Sequence, residues 1–358
     1  MRCYEKSNVL TISLLILMVL FCSSCADDGD SSNQDQESNS LISRDIYGIH
    51  AVDHRIVFAA GEEGYVYKTE DAWDHWEEQT GGFSWNNLYA IYAFDANNAL
   101  AVGQSENIKK TEDGRNWVDV SIERSLTTAL RGIYSYDNST VFAVGSFGLI
   151  MKGTNRGSNK SDWTKVYWGP TSQVPSLLSV SPANNDVVWA VGTKGYIRYT
   201  QNGGGRAEDW IDQPYPSGSG DSWSYEFHGV AAIDERTAVA VGARVNPWAR
   251  PTLDRYLIAK FTDGKWVIKK EGETTGQALH AVSAARDNKN VLWAVGENGL
   301  IMKSEDAGDN WKIQNSPTPY NLYAVSAVDT QTVFAAGHKG RILKTTDGGN
   351  YWKLVLCF

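Results

Sequence analysis

The hydrophobic positions of this 358-residue chain recur with a period of about 40 to 50 residues. Each period contains a short apolar run that ends in glycine. The run occurs seven times, and its final residues are Gly61, Gly103, Gly145, Gly192, Gly242, Gly296 and Gly337. Because repeats of this length are single supersecondary units that bury their apolar faces against neighbouring copies, the repeat itself predicts the architecture.

Each copy contains four short segments separated by turn residues. The first is apolar and ends in Asp in five copies, as in Ile46 to Asp53, whereas the copies that begin at Leu177 and Leu279 lack this Asp. The second is the glycine-terminated run, which lacks polar alternation and carries an alanine in all seven copies. Such a run predicts a strand that is buried on both faces. The third follows almost at once, as in Leu300 to Asp306, and the fourth begins at a tryptophan.

Seven units of four strands predict an all-β fold, a seven-bladed β-propeller of four-stranded antiparallel blades over residues 41–358. An open solenoid is the alternative. A solenoid needs atypical polar caps at its ends, and the first and last copies here are ordinary.

The turn between the third and fourth segments carries a recognisable motif. Ser304 to Trp311 (SEDAGDNW) and Thr345 to Trp352 (TTDGGNYW) both fit Ser/Thr-x-Asp-x-Gly-x-x-Trp. In such a turn the Asp can accept backbone N–H groups and the glycine can take a positive φ. The motif resembles the Asp-box, or BNR-type, repeat of sialidase-like propellers. Other copies depart from it; Trp73, for example, occupies a glycine position.

Within that superfamily the repeats are most similar to photosystem II assembly/stability factor-like repeats. The resemblance implies a non-enzymatic assembly role, but no photosynthetic role, because the repeat also occurs in non-photosynthetic bacteria. The arginine-rich patch of the phototroph proteins has no counterpart here. Sialidase activity is not expected, because the Arg-Ile-Pro motif of sialidases is missing and the nearest string runs from His54 to Val57.

The first residues predict an export signal rather than part of the fold. Arg2 and Lys6 precede the apolar run from Val9 to Phe21, which is 13 residues long, whereas a transmembrane helix needs roughly 20. Small residues then precede Cys25, as at a lipoprotein processing site, although Cys22 stands where leucine is usual. We therefore expect a lipoprotein signal peptide over residues 1–24 and lipidation at Cys25.

Residues 25–40 are acidic and rich in Ser and Asn, which predicts a disordered tether. Its Asp27 to Asp30 run is either a spacer or a surface-export signal. The predicted location is extracytoplasmic, on a lipid anchor in the outer membrane, facing the periplasm or the surface. Cys357 then has no disulfide partner. The net charge of −9 argues against nucleic acid as a partner, and no spacing of His or Cys indicates a metal. We expect no cofactor and a monomer.

The 14 tryptophans fall into two groups. Ten have structural explanations: two lie in second strands, one lies in an Asp-box turn, and seven open the fourth segments, namely Trp76, Trp117, Trp163, Trp210, Trp266, Trp311 and Trp352. The remaining four are Trp85, Trp168, Trp223 and Trp248. In family geometry these four fall in loops at the face where the inner strands begin, here called the loop face; the opposite face carries the Asp-box turns. Exposed aromatics on rigid scaffolds commonly bind sugars or proteins.

Two adjoining insertions mark the best site on the loop face. Residues 214–226 lead into the fifth blade, and residues 243–255 separate its second and third strands. The second residue of each inner strand should also ring the channel mouth there, either as a ligand site or simply as packing. This mouth ring comprises Tyr47, Tyr89, Arg131, Leu178, His228, His280 and Tyr323. The predicted binding residues are Trp85, Arg131, Trp168, Tyr215, Trp223, His228, Arg244, Trp248, Arg250, His280 and Tyr323.

Three functions remain open at this stage. The first is a non-catalytic platform for an envelope protein or complex, and the second is surface glycan binding. The third, less favoured, is a glycoside hydrolase that uses a pair of loop carboxylates about 5 to 10 Å apart. The carboxylates on the loop face are Glu62, Glu106, Asp221, Glu226, Asp254 and Glu297.

Overall fold

The structure is a computed structural model that describes residues 44–72, 75–79, 86–122, 127–169, 173–214, 224–245, 254–272 and 276–356. The described residues form seven antiparallel sheets of four strands, and each sheet is built from one sequence repeat. This confirms the predicted all-β, seven-bladed propeller.

Blades 1 to 3 each run from an inner strand to an outer strand in chain order. Their strands are β1 Ile46–Ala51, β2 Val57–Gly61, β3 Val66–Thr69 and β4 Glu77–Gln79; β5 Leu88–Ala93, β6 Ala99–Gly103, β7 Ile108–Thr111 and β8 Trp117–Asp119; β9 Leu130–Ser135, β10 Val141–Gly145, β11 Ile150–Gly153 and β12 Trp163–Tyr167.

Blades 4 to 7 repeat the same order. Their strands are β13 Leu177–Pro182, β14 Val188–Gly192, β15 Ile197–Thr200 and β16 Ile211–Asp212; β17 Ser224–Asp234, β18 Thr237–Val245, β19 Arg255–Thr262 and β20 Lys265–Glu271; β21 Leu279–Ala284, β22 Leu292–Gly296, β23 Ile301–Ser304 and β24 Lys312–Gln314; β25 Leu322–Ala327, β26 Val333–Gly337, β27 Ile342–Thr345 and β28 Lys353–Leu356. Short 3₁₀ turns occur at Glu62–Gly64, Ser146–Gly148, Asn155–Gly157, Lys160–Asp162, Thr193–Gly195, Ala207–Asp209, Glu297–Gly299 and His338–Gly340.

The hydrophobic core lies between blades, and the second strands are its centre. The second strand of every blade is buried along its whole glycine-terminated run, as the absence of polar alternation predicted. Buried side chains form clusters that join neighbouring blades, as where Leu100 and Val102 of blade 2 pack with Val141 and Ala143 of blade 3. Because neighbouring blades cover both faces of each second strand, that strand needs no polar face.

The Asp-box turns have the predicted chemistry. Asp306 Oδ1 accepts the backbone N–H of Asn310 at 2.8 Å and the Ser304 hydroxyl at 2.9 Å. Gly308 has a φ of +85°, and its carbonyl accepts the indole N–H of Trp311 at 3.0 Å. The turn thus fixes the tryptophan that begins the outer edge of the blade, and six of the seven repeat tryptophans are buried.

The turn after the inner strand keeps its hydrogen bonds in the copies that lack the Asp. In blade 2, Asp95 Oδ1 accepts the backbone N–H groups of the residues two and three positions later, both at 2.9 Å. Counted back from the second strand, Asn184 and Asn288 occupy the corresponding positions in blades 4 and 6, and each accepts the N–H of the residue two positions later, at 2.9 and 3.1 Å. The amide oxygen replaces the carboxylate because the turn needs only an acceptor.

The ring closes by packing of blade 7 on blade 1, which excludes the open solenoid. One cluster contains Ile46 and Ala59 of blade 1 together with Phe334 and Ile342 of blade 7. Polar contacts reinforce the seam, since the backbone N–H of Ala51 donates to Ser326 Oγ at 3.0 Å. Each of these two blades takes all four strands from its own repeat, so no strand is exchanged across the seam.

Blade 5 differs from the others, because its inner strands extend beyond the channel mouth. β17 has 11 residues and β18 has nine, and they pair from Ser224 opposite Val245 onwards. Glu226 and Arg244 are predicted from the sequence to lie in loops, and this prediction is wrong, because they lie in β17 and β18. Continued pairing satisfies their backbone groups, so these residues form a projecting β-ribbon.

Candidate functional site

Every mouth-ring residue lies in a β-bulge. In blade 6, Leu279 pairs with Gly296 and Ala281 pairs with Val295, so His280 is the extra residue between them. The same register shift occurs at the mouth-ring position of all seven blades. A bulge redirects a side chain from the regular alternation of a strand. Here it turns one side chain per blade into the channel mouth, and all seven line one cavity.

The repeat glycine makes this bulge possible. A Cβ built on Gly296 would lie 2.0 Å from the carbonyl oxygen of Ala278, and the other six repeat glycines face the equivalent carbonyl at 1.8 to 2.1 Å. The φ of Gly296 is −166°, which any residue can adopt. The glycine is therefore required for space rather than for backbone conformation. The repeat glycines, which are the most regular feature of the sequence, and the mouth ring therefore both depend on the same bulge.

The mouth ring is almost continuous through ring contacts. The Arg131 guanidinium lies 4.1 Å from the centroid of the Tyr89 ring, and Tyr89 and Tyr323 each lie 5.7 Å from Tyr47. His280 lies 5.5 Å from Tyr323 and 5.5 Å from His228. The mouth thus presents phenols, imidazoles and one exposed guanidinium on a rigid support.

The two histidines differ in their electrostatics. His228 Nδ1 donates to the carbonyl of Leu279 at 2.8 Å, and its Nε2 lies 3.7 Å from Glu226. Burial, with a smaller effect of nearby His228, lowers the pKa of His280 to about 4. His280 Nε2 is buried and has no hydrogen-bond partner among the described residues. His280 is therefore a neutral imidazole with an unused polar atom.

The structure brings together four of the predicted binding residues, Arg131, His228, His280 and Tyr323, in the mouth ring. Trp168 follows strand β12 and has 55% of its surface exposed. Arg244 instead pairs with Glu271 within blade 5, at 2.8 Å. Six further predicted positions lie outside the described residues: Cys25, Trp85, Tyr215, Trp223, Trp248 and Arg250.

Several loop-face carboxylates have structural roles. Glu62 accepts the backbone N–H of Asp45 at 3.2 Å, and Glu297 accepts that of Ala278 at 2.8 Å. At the corresponding positions of blades 3 and 4, a serine and a threonine accept the equivalent N–H. Glu106 is buried and pairs with Lys165 at 2.8 Å. These carboxylates therefore stabilise blade turns and inter-blade contacts.

Asp254, which directly precedes β19, has a different environment. Burial raises its pKa, and the charges of Glu297 and Glu226 raise it further. Its Oδ1 is buried without a hydrogen-bond partner among the described residues. Within the same part of the chain, no group of three His, Cys, Asp or Glu side chains is arranged to hold a metal ion. The described ranges also contain no helix with the length and apolar character needed to cross a bilayer.

The residues at the opposite mouth of the channel were not predicted as a site from the sequence. There the inner strands of blades 1 to 3 contribute His50, Tyr92 and Tyr134, and the turn after β21 contributes Arg286 and Lys289. A signal was present, because the first three residues each lie three positions after a mouth-ring residue.

The fold, its turns and its channel define a class, the seven-bladed Asp-box β-propeller. The predicted resemblance to photosystem II assembly factor-like repeats is confirmed. The family model described as photosynthesis system II assembly factor YCF48 matches residues 258–353, which comprise the end of blade 5 and most of blades 6 and 7. No curated protein matches the chain by sequence.

Solved structures show the same fold over most of the chain. YCF48 bound to D1 peptide is 16% identical with a TM-score of 0.61, and covers 85% of this chain and 94% of its own. YCF48 from Cyanidioschyzon merolae is 18% identical with a TM-score of 0.62, covering 85% and 96%. The WD40 β-propeller domain of Doa1 is 11% identical with a TM-score of 0.57, covering 86% and 95%.

Proposed function

We propose that this protein is a non-catalytic binding platform for an envelope protein or protein complex, held at the membrane by a lipid on Cys25. The observation that carries the proposal is the mouth ring. Seven equivalent bulges direct side chains into one opening, and apart from Leu178 the residues there are aromatic, cationic or neutral-polar. Such side chains on a rigid scaffold are common at the centres of protein interfaces.

The contacts of the ring favour a peptide or protein over a reacting substrate. Arg131 is exposed and stacks on Tyr89, and among the described residues no carboxylate lies within ion-pair distance of it. Glu62, Glu106 and Glu297 are engaged in structural contacts. The available groups therefore suit hydrogen bonding and stacking. The solved structure of YCF48 with D1 peptide supports a propeller of this type as a peptide-binding protein.

An affinity capture from the envelope of the source organism tests the platform. The bait is the purified protein, and the test variant is Arg131→Gln/Trp168→Ala. Because interface hot spots contribute about 2 kcal/mol or more, we expect at least a tenfold loss of partner binding. The control is Tyr351→Ala, which removes an aromatic ring that is 69% exposed on the Asp-box face.

A stoichiometric partner that is lost in the double variant and retained in the control supports the proposal. If folded bait captures no specific protein, the proposal fails, and glycan binding becomes the better hypothesis. Trp223→Ala/Trp248→Ala in a polysaccharide binding and cleavage screen then tests that alternative. A carboxylate pair would be indicated only if glycan were cleaved.

The anchor has its own test. Cys25→Ser should prevent incorporation of labelled palmitate and move the protein from the membrane fraction to the soluble fraction after export. Persistent membrane association in Cys25→Ser would contradict the lipid anchor without affecting the binding proposal.

A further inference from the structure

The channel mouth on the Asp-box face is asymmetric. Three positions after the mouth ring, blades 1 to 3 carry His50, Tyr92 and Tyr134, whereas the next two blades carry Ser181 and Ala231. The large rings contact one another, with centroids 4.4 Å apart for His50 and Tyr92 and 5.2 Å apart for Tyr92 and Tyr134. The small residues opposite leave a cavity of about 430 Å³.

Two cations from one turn of blade 6 extend across this opening. Arg286 Nη1 donates to the carbonyl of Val52 in blade 1 at 2.7 Å, and Nη2 donates to the carbonyl of Ala51. Nη2 also lies 3.3 Å from His50 Nε2. Lys289 Nζ lies 5.5 Å from the centroid of the Tyr136 ring in blade 3. The turn therefore places positive charge beside the aromatic wall.

These cations are not neutralised locally. Among the described residues, no carboxylate lies within ion-pair distance of Arg286 or Lys289. Burial lowers the pKa of Lys289, and the negative charge of Asp234 has a smaller, opposite effect. Arg286 is exposed, but Lys289 is partly buried, and a partly buried cation without a counterion is unfavourable, so that a bound anion would relieve the cost. The net charge of the chain is −9, so the charge at this mouth is opposite in sign to the net charge of the protein.

We propose that this mouth binds a ligand that carries a carboxylate beside an aromatic or apolar group. The Lys289 ammonium suits a carboxylate, and Arg286, whose Nη1 and Nη2 already donate to backbone carbonyls, adds its positive charge beside it. Tyr134 and Tyr136, which are 38% and 50% exposed, offer rings against which the apolar group can pack. The cavity volume falls in the range of small-ligand pockets. Two sources share this chemistry: the C-terminus of a peptide and a free carboxylic acid.

Calorimetric titration separates the contribution of the carboxylate charge to binding from the contribution of the apolar group. The probes are N-acetylphenylalanine and its amide, and a tripeptide ending in phenylalanine with a free or an amidated C-terminus. We expect at least one free acid to bind at least tenfold more tightly than its amide. Lys289→Gln should weaken that binding at least fivefold, and Tyr136→Ala should weaken it for both the acid and the amide. Neither substitution breaks a hydrogen bond of the described fold.

Lys339→Gln is the matched control, since Lys339 Nζ lies 5.2 Å from the Tyr320 ring on the loop face. Binding in this variant should equal that of the wild type. Binding of the tripeptide acid supports recognition of chain ends, and binding of N-acetylphenylalanine alone supports a small-molecule site. The proposal is overturned if neither acid binds saturably, if acid and amide bind equally, or if Lys289→Gln binds as well as Lys339→Gln.

Discussion

Gly296→Ala tests the physical reason for the glycine that ends each second strand. The new Cβ would lie 2.0 Å from the carbonyl oxygen of Ala278, whereas a carbon and an oxygen in contact need about 3.3 Å. The two backbones must therefore separate by roughly 1.3 Å. This movement strains two hydrogen bonds, Glu297 N–H to Ala278 O and Gly296 N–H to Leu300 O, both 2.9 Å.

The expected cost follows from these contacts. Two backbone hydrogen bonds contribute about 1 kcal/mol each, and overpacking costs about 1 to 3 kcal/mol. Gly296→Ala should therefore lower the free energy of unfolding by about 3 to 5 kcal/mol, a large part of the roughly 5 to 15 kcal/mol of a typical domain. The displaced bulge should also disturb His280.

Urea denaturation followed by tryptophan fluorescence measures this change, with circular dichroism to check the fold. Gly205→Ala is the matched control, because a Cβ there meets its nearest atom at 4.0 Å and the residue is exposed. The control should change stability by no more than about 0.5 kcal/mol. If Gly296→Ala and Gly205→Ala unfolded at the same urea concentration, the assignment of the glycine to a steric requirement would be wrong.

Three further predictions concern stability. Trp311→Ala should cost about 3 to 5 kcal/mol, because the indole is buried between blades and donates to Gly308, whereas Trp168→Ala should leave the melting temperature nearly unchanged. Lys165→Met should lower the free energy of unfolding by about 3 to 5 kcal/mol in urea denaturation, because the buried Glu106 carboxylate keeps the hydrogen bond from the Thr128 hydroxyl but loses its positive partner. His280→Asn should make stability less sensitive to acid. The folded-state pKa of His280, about 4, lies below its usual 6.5, so the unfolded chain takes up the proton first and stability falls as pH drops through this window. Between pH 7.5 and pH 5, the wild type should lose about 2 kcal/mol more than His280→Asn.

Each of these predictions has a contradicting result. Equal melting temperatures for Trp311→Ala and Trp168→Ala would contradict the division of tryptophans into structural and exposed groups. For the buried ion pair, Lys160→Met is the control, because this lysine is an exposed turn residue, and equal effects of the two lysine substitutions would contradict the argument. For the histidine, parallel stability curves of wild type and His280→Asn between pH 5 and pH 7.5 would show that its pKa is not lowered by folding.

Much of the fold could be predicted from the sequence because its signals are local and repeated. The glycine-terminated runs located the second strands, and the Asp-box turns located the tryptophans of the outer strands. The mouth ring was also predicted, since one position in each repeat identifies it. The bulge behind it was not, because the alternation of a six-residue strand does not show where its pairing skips a residue.

The β-ribbon of blade 5 and the channel mouth on the Asp-box face could not be predicted from local sequence signals. Arg244 was placed in a loop, because the extra pairing that lengthens β17 and β18 depends on two segments meeting. Arg286 contacts the backbone of Val52, a residue 234 positions earlier in the chain. No local sequence pattern predicts a contact between residues so far apart in the chain.

The sequence by itself therefore determined the number of blades and most of the strands and turns, because the repeats can be counted and the signals for strands and turns lie within one repeat. Only the tertiary structure decided which side chains meet in the channel. Closure of blade 7 on blade 1 brings Arg286 and Lys289 to the aromatic residues of blades 1 and 3. That arrangement depends on the radial positions of whole blades, and these are fixed only when every blade buries both faces against its neighbours.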